Sequence, residues 1–340
     1  MIKAVSLFSG SLASIVATKL IMNQEGVDEV KLLHFRSPFF RDYDRTKEIS
    51  KEIFKCSFRS QSVKKDFAEL TNIPGAGYST KTCCTGCRTL MIRKAYRYMG
   101  KVNADFLVTG EIAGLRGLGV NDVLDLTEEA GAGRRVLRPL SAKLFPESRA
   151  EREGWVERES LYDLTDETRE NLIEIAQSLG IDAKGFPAEK RCKLVIPYFG
   201  QRLEDLLREE NLTLNGLELL EFPLYYKSPP DVKIVLGRDD EEKRRLQNFF
   251  LPSDLRLYVP INDGPIALVR ANWDRKSENE ILEIIELAAK ITATHALPGQ
   301  SSRRVQASYR FEDSQETRRI NISPFSDESE LTQHCMKLEF

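Results

Sequence analysis

The sequence predicts an α/β fold: a doubly wound, mostly parallel sheet in residues 1–200, then a second, smaller α+β domain in residues 201–300, and a hairpin with a tail in residues 301–340. In the first part, short apolar runs alternate with stretches of helical periodicity, the pattern of successive βαβ units. In the second part that alternation gives way to several strands in succession around two helices. With 340 residues, 41% of them hydrophobic, the chain is long enough for two or three domains.

Residues 2–8 are an apolar run entering the turn Ser9-Gly10-Ser11, and a helix is predicted from about Ser14, where Val16 and Leu20, and Ala17 and Ile21, repeat at i, i+4. Residues 30–35 read as the second strand, 44–55 and 88–100 as helices, and 104–108 as a buried strand ending at Thr109-Gly110. Residues 110–135 read as a polar, glycine-rich stretch. Residues 166–179 put Leu172, Ile175, Ala176 and Leu179 on one helical face, with Asp166 as cap and Gly180 as stop. Further on, 232–236, 255–259 and 266–269 read as strands and 239–250 as a charged helix. Residues 278–290 form a helix aligning Ile281, Ile284, Ile285 and Ala288. Val305, Ala307, Tyr309 and Phe311 alternate with polar residues, and Arg318 to Ile322 is expected opposite them as a hairpin.

The 50 basic and 52 acidic side chains nearly cancel, so any affinity for RNA has to come from local patches and not from a field over the whole chain. Candidate patches are Lys64-Lys65, Arg134-Arg135 with Arg138, Lys190-Arg191 with Lys193, and Arg303-Arg304 with Arg310. Such groups give affinity with little sequence specificity. Tyr309 is suited to stack on a base, and alternating core packing explains a tyrosine there equally well. No run approaches ~18 uninterrupted apolar residues, and the start MIKAVSLFSG has no leader pattern. The expectation is a cytoplasmic protein with no membrane contact.

Two features carry chemistry. In Ser9-Gly10-Ser11-Leu12-Ala13-Ser14, small residues between strand and helix let backbone N–H groups approach an anion, and the helix N-terminus favours negative charge. A tight turn after the first strand is also what any α/β sheet needs. The second feature is cysteine: three of the six lie in Cys83-Cys84-Thr85-Gly86-Cys87, which is unlike the spaced framework of a secreted mini-protein. Cys84 and Cys87, joined by the distant Cys192, would leave one iron of a 4Fe-4S cluster open, which suits an exogenous sulfide. Zinc is the alternative, with Cys83 as a fourth ligand; Cys83 and Cys56 are otherwise small buried residues. Cations flanking Cys192 are expected to lower its pKa. His34, His295 and His334 are expected to be hydrogen-bonded or solvent-facing, and none is assigned as a ligand.

Several ordered stretches match a known family. They are Leu7-Phe8-Ser9-Gly10, His34-Phe35-Arg36-Ser37-Pro38-Phe39-Phe40, Cys84-Thr85-Gly86-Cys87, residues 104–111 and 137–144, and Glu153-Gly154-Trp155-Val156. On these the chain resembles the PP-loop ATPase superfamily, whose fold is adenine nucleotide alpha hydrolase-like. Within it the chain resembles stand-alone 4-thiouridine-synthetase-like tRNA sulfurtransferases carrying an NFACT-type RNA-binding module. The resemblance implies ATP and Mg2+, with Ser9, Gly10, Ser11 and Ser14 at the phosphates and His34, Phe35, Thr109 and Gly110 bordering the adenine. It favours a cluster on Cys84, Cys87 and Cys192 as the catalytic centre, with Lys143 and Arg138 on the nucleotide or RNA side. The implied reaction is adenylation of a tRNA uridine followed by sulfur insertion. Implied partners are tRNA, sulfide or a sulfur donor protein, and a second copy of the chain. The family loop reads Ser-Gly-Gly-Leu-Asp-Ser, so Ser11 and Ala13 replace a glycine and an aspartate. A second reading is therefore a paralogue that binds RNA or carries sulfur without adenylating.

Overall fold

The computed structural model describes residues 1–40, 43–66, 80–166, 169–183, 192–208, 213–261, 263–300, 303–326, 329–331 and 336–337. The chain divides into two compact units, Met1–Ile196 and Pro197–Phe340. No helix among the described residues is long and apolar enough to cross a membrane.

The first unit is a five-stranded parallel sheet with helices between the strands. In chain order its elements are β1 (Lys3–Leu7), α1 (Leu12–Met22), β2 (Glu29–Arg36), α2 (Tyr43–Ile53), β3 (Phe58–Ser62), α3 (Thr80–Lys101), β4 (Phe106–Thr109), α4 (Val120–Glu129), β5 (Val136–Leu137), α5 (Arg149–Arg152) and α6 (Arg169–Ser178). The strand order is β3-β2-β1-β4-β5, all parallel. The order reverses between β1 and β4, so the loops leaving these two strands diverge and open a crevice at their carboxyl ends. Residues such as Val5, Leu33 and Leu107 are completely buried, which is why these strands read as continuous apolar runs.

Three local expectations shift. Helix α1 starts at Leu12, because Ser11 acts as its N-cap and accepts from the Ser14 N–H. Helix α3 starts at Thr80 and not at residue 88, so Cys83, Cys84 and Cys87 lie inside its first turns. Within residues 110–135 a full helix, α4, buries Val123 and Leu126 against Leu118 and Phe145; the flanking glycines at 117, 119, 131 and 133 hid its short apolar stripe. Asp166, the expected cap, is followed in sequence by residues 167–168, which lie outside the described residues.

The second unit contains α7 (Pro197–Leu207), α8 (Leu214–Leu219), β6 (Leu224–Ser228), β7 (Val232–Gly237), α9 (Asp240–Gln247), β8 (Leu255–Tyr258), β9 (Ile266–Arg270), α10 (Glu278–Ala296), β10 (Val305–Phe311), β11 (Arg318–Ile322) and β12 (Met336–Lys337). Its sheet runs β11-β10-β8-β9-β7-β6-β12 with antiparallel pairings throughout. The β10–β11 hairpin therefore extends the same sheet. Helix α10, entered through a capping box of Ser277 and Glu280, lays Ile284, Ile285 and Ala288 against one face of it. Arg202 of α7 is completely buried and donates to the carbonyls of Leu220 and Phe222, at 2.8 and 2.7 Å, beyond the end of α8.

Candidate functional site

The crevice at the carboxyl ends of β1, β2 and β4 is a cavity of about 680 Å³. Its lining contains Ser9, Gly10, Ser11 and Ser14 from the first loop, His34 and Phe35 from the end of β2, Thr109 and Gly110 from the end of β4, and Cys84, Cys87 and Cys192. The structure thus gathers the phosphate, adenine and thiol candidates around a single space.

The loop is tightly built. Gly10 adopts φ 73°, a left-handed conformation that favours glycine. The hydroxyls of Ser9 and Ser11 bond one another at 2.9 Å, and the Ser11 and Ser14 N–H groups donate to Ser9 Oγ and Ser11 Oγ, each at 3.3 Å. The N–H groups of Leu12 and Ala13 have no acceptor among the described residues and point from the first turn of α1. Thr46 of α2 holds the Ser9 carbonyl at 3.2 Å. Gly110 is pressed on this turn: a Cβ there would sit 2.7 Å from both Ala13 C and Ser14 N. His34 shares a 2.9 Å hydrogen bond with the Phe8 carbonyl and is buried, which fixes the β1–β2 end of the cavity.

Cys84, Cys87, Arg88 and Met91 recur at i, i+3, i+4 and i+7 on α3, so a single helical face lines the cavity. Cys192 arrives from the far end of the unit by pairing its backbone with Phe40, and the Lys193 N–H donates to Phe39 O at 2.8 Å. Ser37 Oγ lies 3.7 Å from Cys87 Sγ. Burial pushes the Cys87 thiol up to about 12, against the hydrogen bond from Ser37. Burial also raises Cys192, although the Arg116 guanidinium works against it. The expected lowering of Cys192 is therefore reversed, because desolvation outweighs the nearest cation. The flanking Lys190 and Arg191 lie outside the described residues.

Sequence reasoning missed the role of Arg116. It donates to Cys84 Sγ at 3.6 Å and also bonds the Cys192 thiol. Its backbone is left-handed at φ 62°, between Gly114 at 86° and Gly117 at 68°, so the turn aims the guanidinium inward. Beneath the β4 end, Glu111 receives Arg138 Nε at 3.0 Å and faces Arg88 at 3.6 Å. Burial alone would raise the Glu111 carboxyl, but Arg138 and Arg88 outweigh it and hold it below the usual carboxylate range. Arg138 is thereby spent on Glu111 and Thr127 and does not line the cavity. Lys143 is directed at the Glu159 carbonyl and is also outside it. Neither therefore lies among the residues that line the nucleotide-type cavity.

No group of three or more His, Cys, Asp or Glu side chains among the described residues is arranged to hold a metal ion. Of the other cysteines, Cys83 is buried and does not line the cavity, and Cys56 is half-buried. His295 shares a 2.6 Å hydrogen bond with the Tyr226 hydroxyl, and His334 lies outside the described residues.

Residues 225–334 match the model of the NFACT protein RNA binding domain. This stretch is the antiparallel sheet with α9 and α10, less than half of the chain, and the match supports RNA as a partner. No curated protein matches the chain. Among solved structures, a predicted subunit of tRNA methyltransferase from Methanocaldococcus jannaschii is 12% identical, covering 57% of this chain and 97% of that one, with a TM-score of 0.30. NMN synthetase from Francisella tularensis is 14% identical, covering 62% and 87%, with a TM-score of 0.29. Superpositions this loose carry no functional inference.

Proposed function

We propose that the amino-terminal unit binds ATP with magnesium at the 9–14 loop, and that the chain uses it to replace an oxygen of a tRNA uridine with sulfur. The observation that supports this reading is the shared cavity: a phosphate-type loop and three cysteines from distant segments line the same space. The N–H groups of Leu12 and Ala13 and the positive end of α1 meet the phosphates, and Gly110 permits the close approach. Adenylation of the uridine carbonyl oxygen turns it into an AMP leaving group, which a sulfur nucleophile then displaces.

Cys84, Cys87 and Cys192 line the cavity and Cys83 does not, which supports a centre with three cysteine ligands over a closed four-thiolate zinc site, although the described thiols are not arranged as a finished metal site. Cys84, Cys87 and Cys192 would hold it, and it would supply an open coordination position for sulfide. Arg116 bonds two of the three thiols and balances the charge they gain as thiolates.

The experiment is anaerobic purification with iron and sulfide counting, followed by incubation with ATP and tRNA and mass analysis of the nucleosides. Stoichiometric cluster and thiolated uridine are expected; neither forms if the reading is wrong. Ala13 and the Ser11 cap favour a second reading, a partner that binds RNA or carries sulfur without adenylating. ATP–pyrophosphate exchange in the presence of tRNA separates the two, because only the enzyme catalyses it.

A further inference from the structure

The β8–β10–β11 end of the second sheet has two unlike faces. Side chains alternate along a strand, so Leu255, Leu257, Ala307 and Ile322 meet α10 while their neighbours point the other way. Those neighbours line up across the strands. Tyr258 stands opposite Ser308, and Ser308 opposite Arg319; one step along, Arg256 stands opposite Arg310. At ~4.8 Å per strand, Tyr258 and Arg319 are about 10 Å apart.

Like charges directly opposed on a sheet destabilise it. Arg256 is compensated by Glu312 and stacks on the Phe250 ring at 4.1 Å. The side chains of Arg310 and Arg319 and the Tyr258 hydroxyl have no hydrogen bond or ion pair among the described residues. On this face Gln306, Arg319 and Asn321 are exposed, Tyr258, Arg256 and Arg310 are half-buried, and Ser308 is buried between its cross-strand neighbours. The solvent side of α10 is acidic by contrast, with Glu278, Glu280, Glu283 and Glu286 all exposed. A polyanion is therefore repelled from the helix side and drawn to the basic sheet face, although the whole chain carries a net charge of only -2.

We propose that this open face of β8, β10 and β11 binds single-stranded RNA, with Tyr258 as the stacking platform for a base and Arg310 and Arg319 as the phosphate contacts. The proposal rests on the RNA-binding reading of residues 225–334 and specifies where and in what form the RNA is held. A sheet face presents aromatic rings to splayed bases, whereas the deep major groove of an A-form duplex offers such a ring nothing to stack on.

The test uses the full chain and fluorescence anisotropy with a mixed-sequence single-stranded RNA oligomer and a duplex of the same composition. Binding of the single strand in preference to the duplex is expected. Tyr258→Ala should weaken it roughly tenfold while Tyr258→Phe keeps it, since the ring and not the hydroxyl stacks. The pair Arg310→Gln with Arg319→Gln should lower the salt slope by about 1.4, at roughly 0.7 per single-strand phosphate contact. The charge-matched pair Arg244→Gln with Arg275→Gln should leave that slope unchanged. Circular dichroism checks that each variant is folded. If the wild type binds RNA but the face variants lose no more than the control pair, the face is wrong and the RNA reading stands. Equal affinity for duplex and single strand, or loss in Tyr258→Phe as large as in Tyr258→Ala, overturns the stacking mode. No binding of either RNA by the wild type overturns the reading and the proposal together.

Discussion

On the proposed reading, Ser11 and Ala13 decide how well the first loop holds a phosphate. Ser11 Oγ occupies the helix end by accepting from Ser14 at 3.3 Å, a long and weak bond. Ser11→Gly gives that N–H back to the ligand, and a charge-assisted hydrogen bond contributes ~1.5–3 kcal/mol. Calorimetric titration is expected to show ATP binding tightened by about tenfold or more, and unchanged affinity contradicts this account of the loop. Glu111 belongs to the same scale. Glu111→Gln leaves Arg138 buried without its counter-charge and should destabilise the unit by roughly 3 kcal/mol in denaturant titration. Because the Glu111 carboxyl is held below the ordinary value of 4.5 in the fold, its contribution is complete above that pH and is lost as pH falls through and below it. The melting temperature of the wild type should therefore fall more steeply than that of Glu111→Gln as pH drops below 4.5.

At the scale of elements, the packing of the β4 end against the first turn of α1 sets the cavity's width. Gly110→Ala puts a methyl 2.7 Å from backbone atoms of Ala13 and Ser14, which cannot yield as a flexible side chain would. The expected result is a displaced α1 start and ATP affinity reduced by at least tenfold, read by the same titration, with the sheet still folded by circular dichroism. The strand–turn–helix of 1–22 and the apolar runs of β2 and β4 were legible because buried parallel strands write themselves as continuous apolar sequence. So were the alternating β10 and β11. Helix α4 was not, since its apolar stripe is short and glycines flank it; nor were α7 and α8, where Arg202, a charged residue, occupies a core position. The loop and cysteine candidates could be named from sequence because each sits at an element end or in a compact motif. Arg116 and the Glu111–Arg88–Arg138 group could not, because tertiary approach alone brings them to the thiols and to one another.

For the whole molecule, one unit carries a crevice on a parallel sheet and the other an RNA-binding match on an antiparallel one, the two parts that the proposed reaction requires. The near-balance of charge leaves affinity for RNA to bare local faces. The account's central claim is that nucleotide and thiols share one space, and this is open to direct chemical measurement. In metal-free protein, the alkylation rate of Cys84 is followed by peptide mass analysis while ATP and magnesium are titrated in. The account predicts that alkylation slows in step with nucleotide occupancy, Cys84 becoming shielded as the cavity fills. A rate that stays constant up to saturating ATP would contradict it.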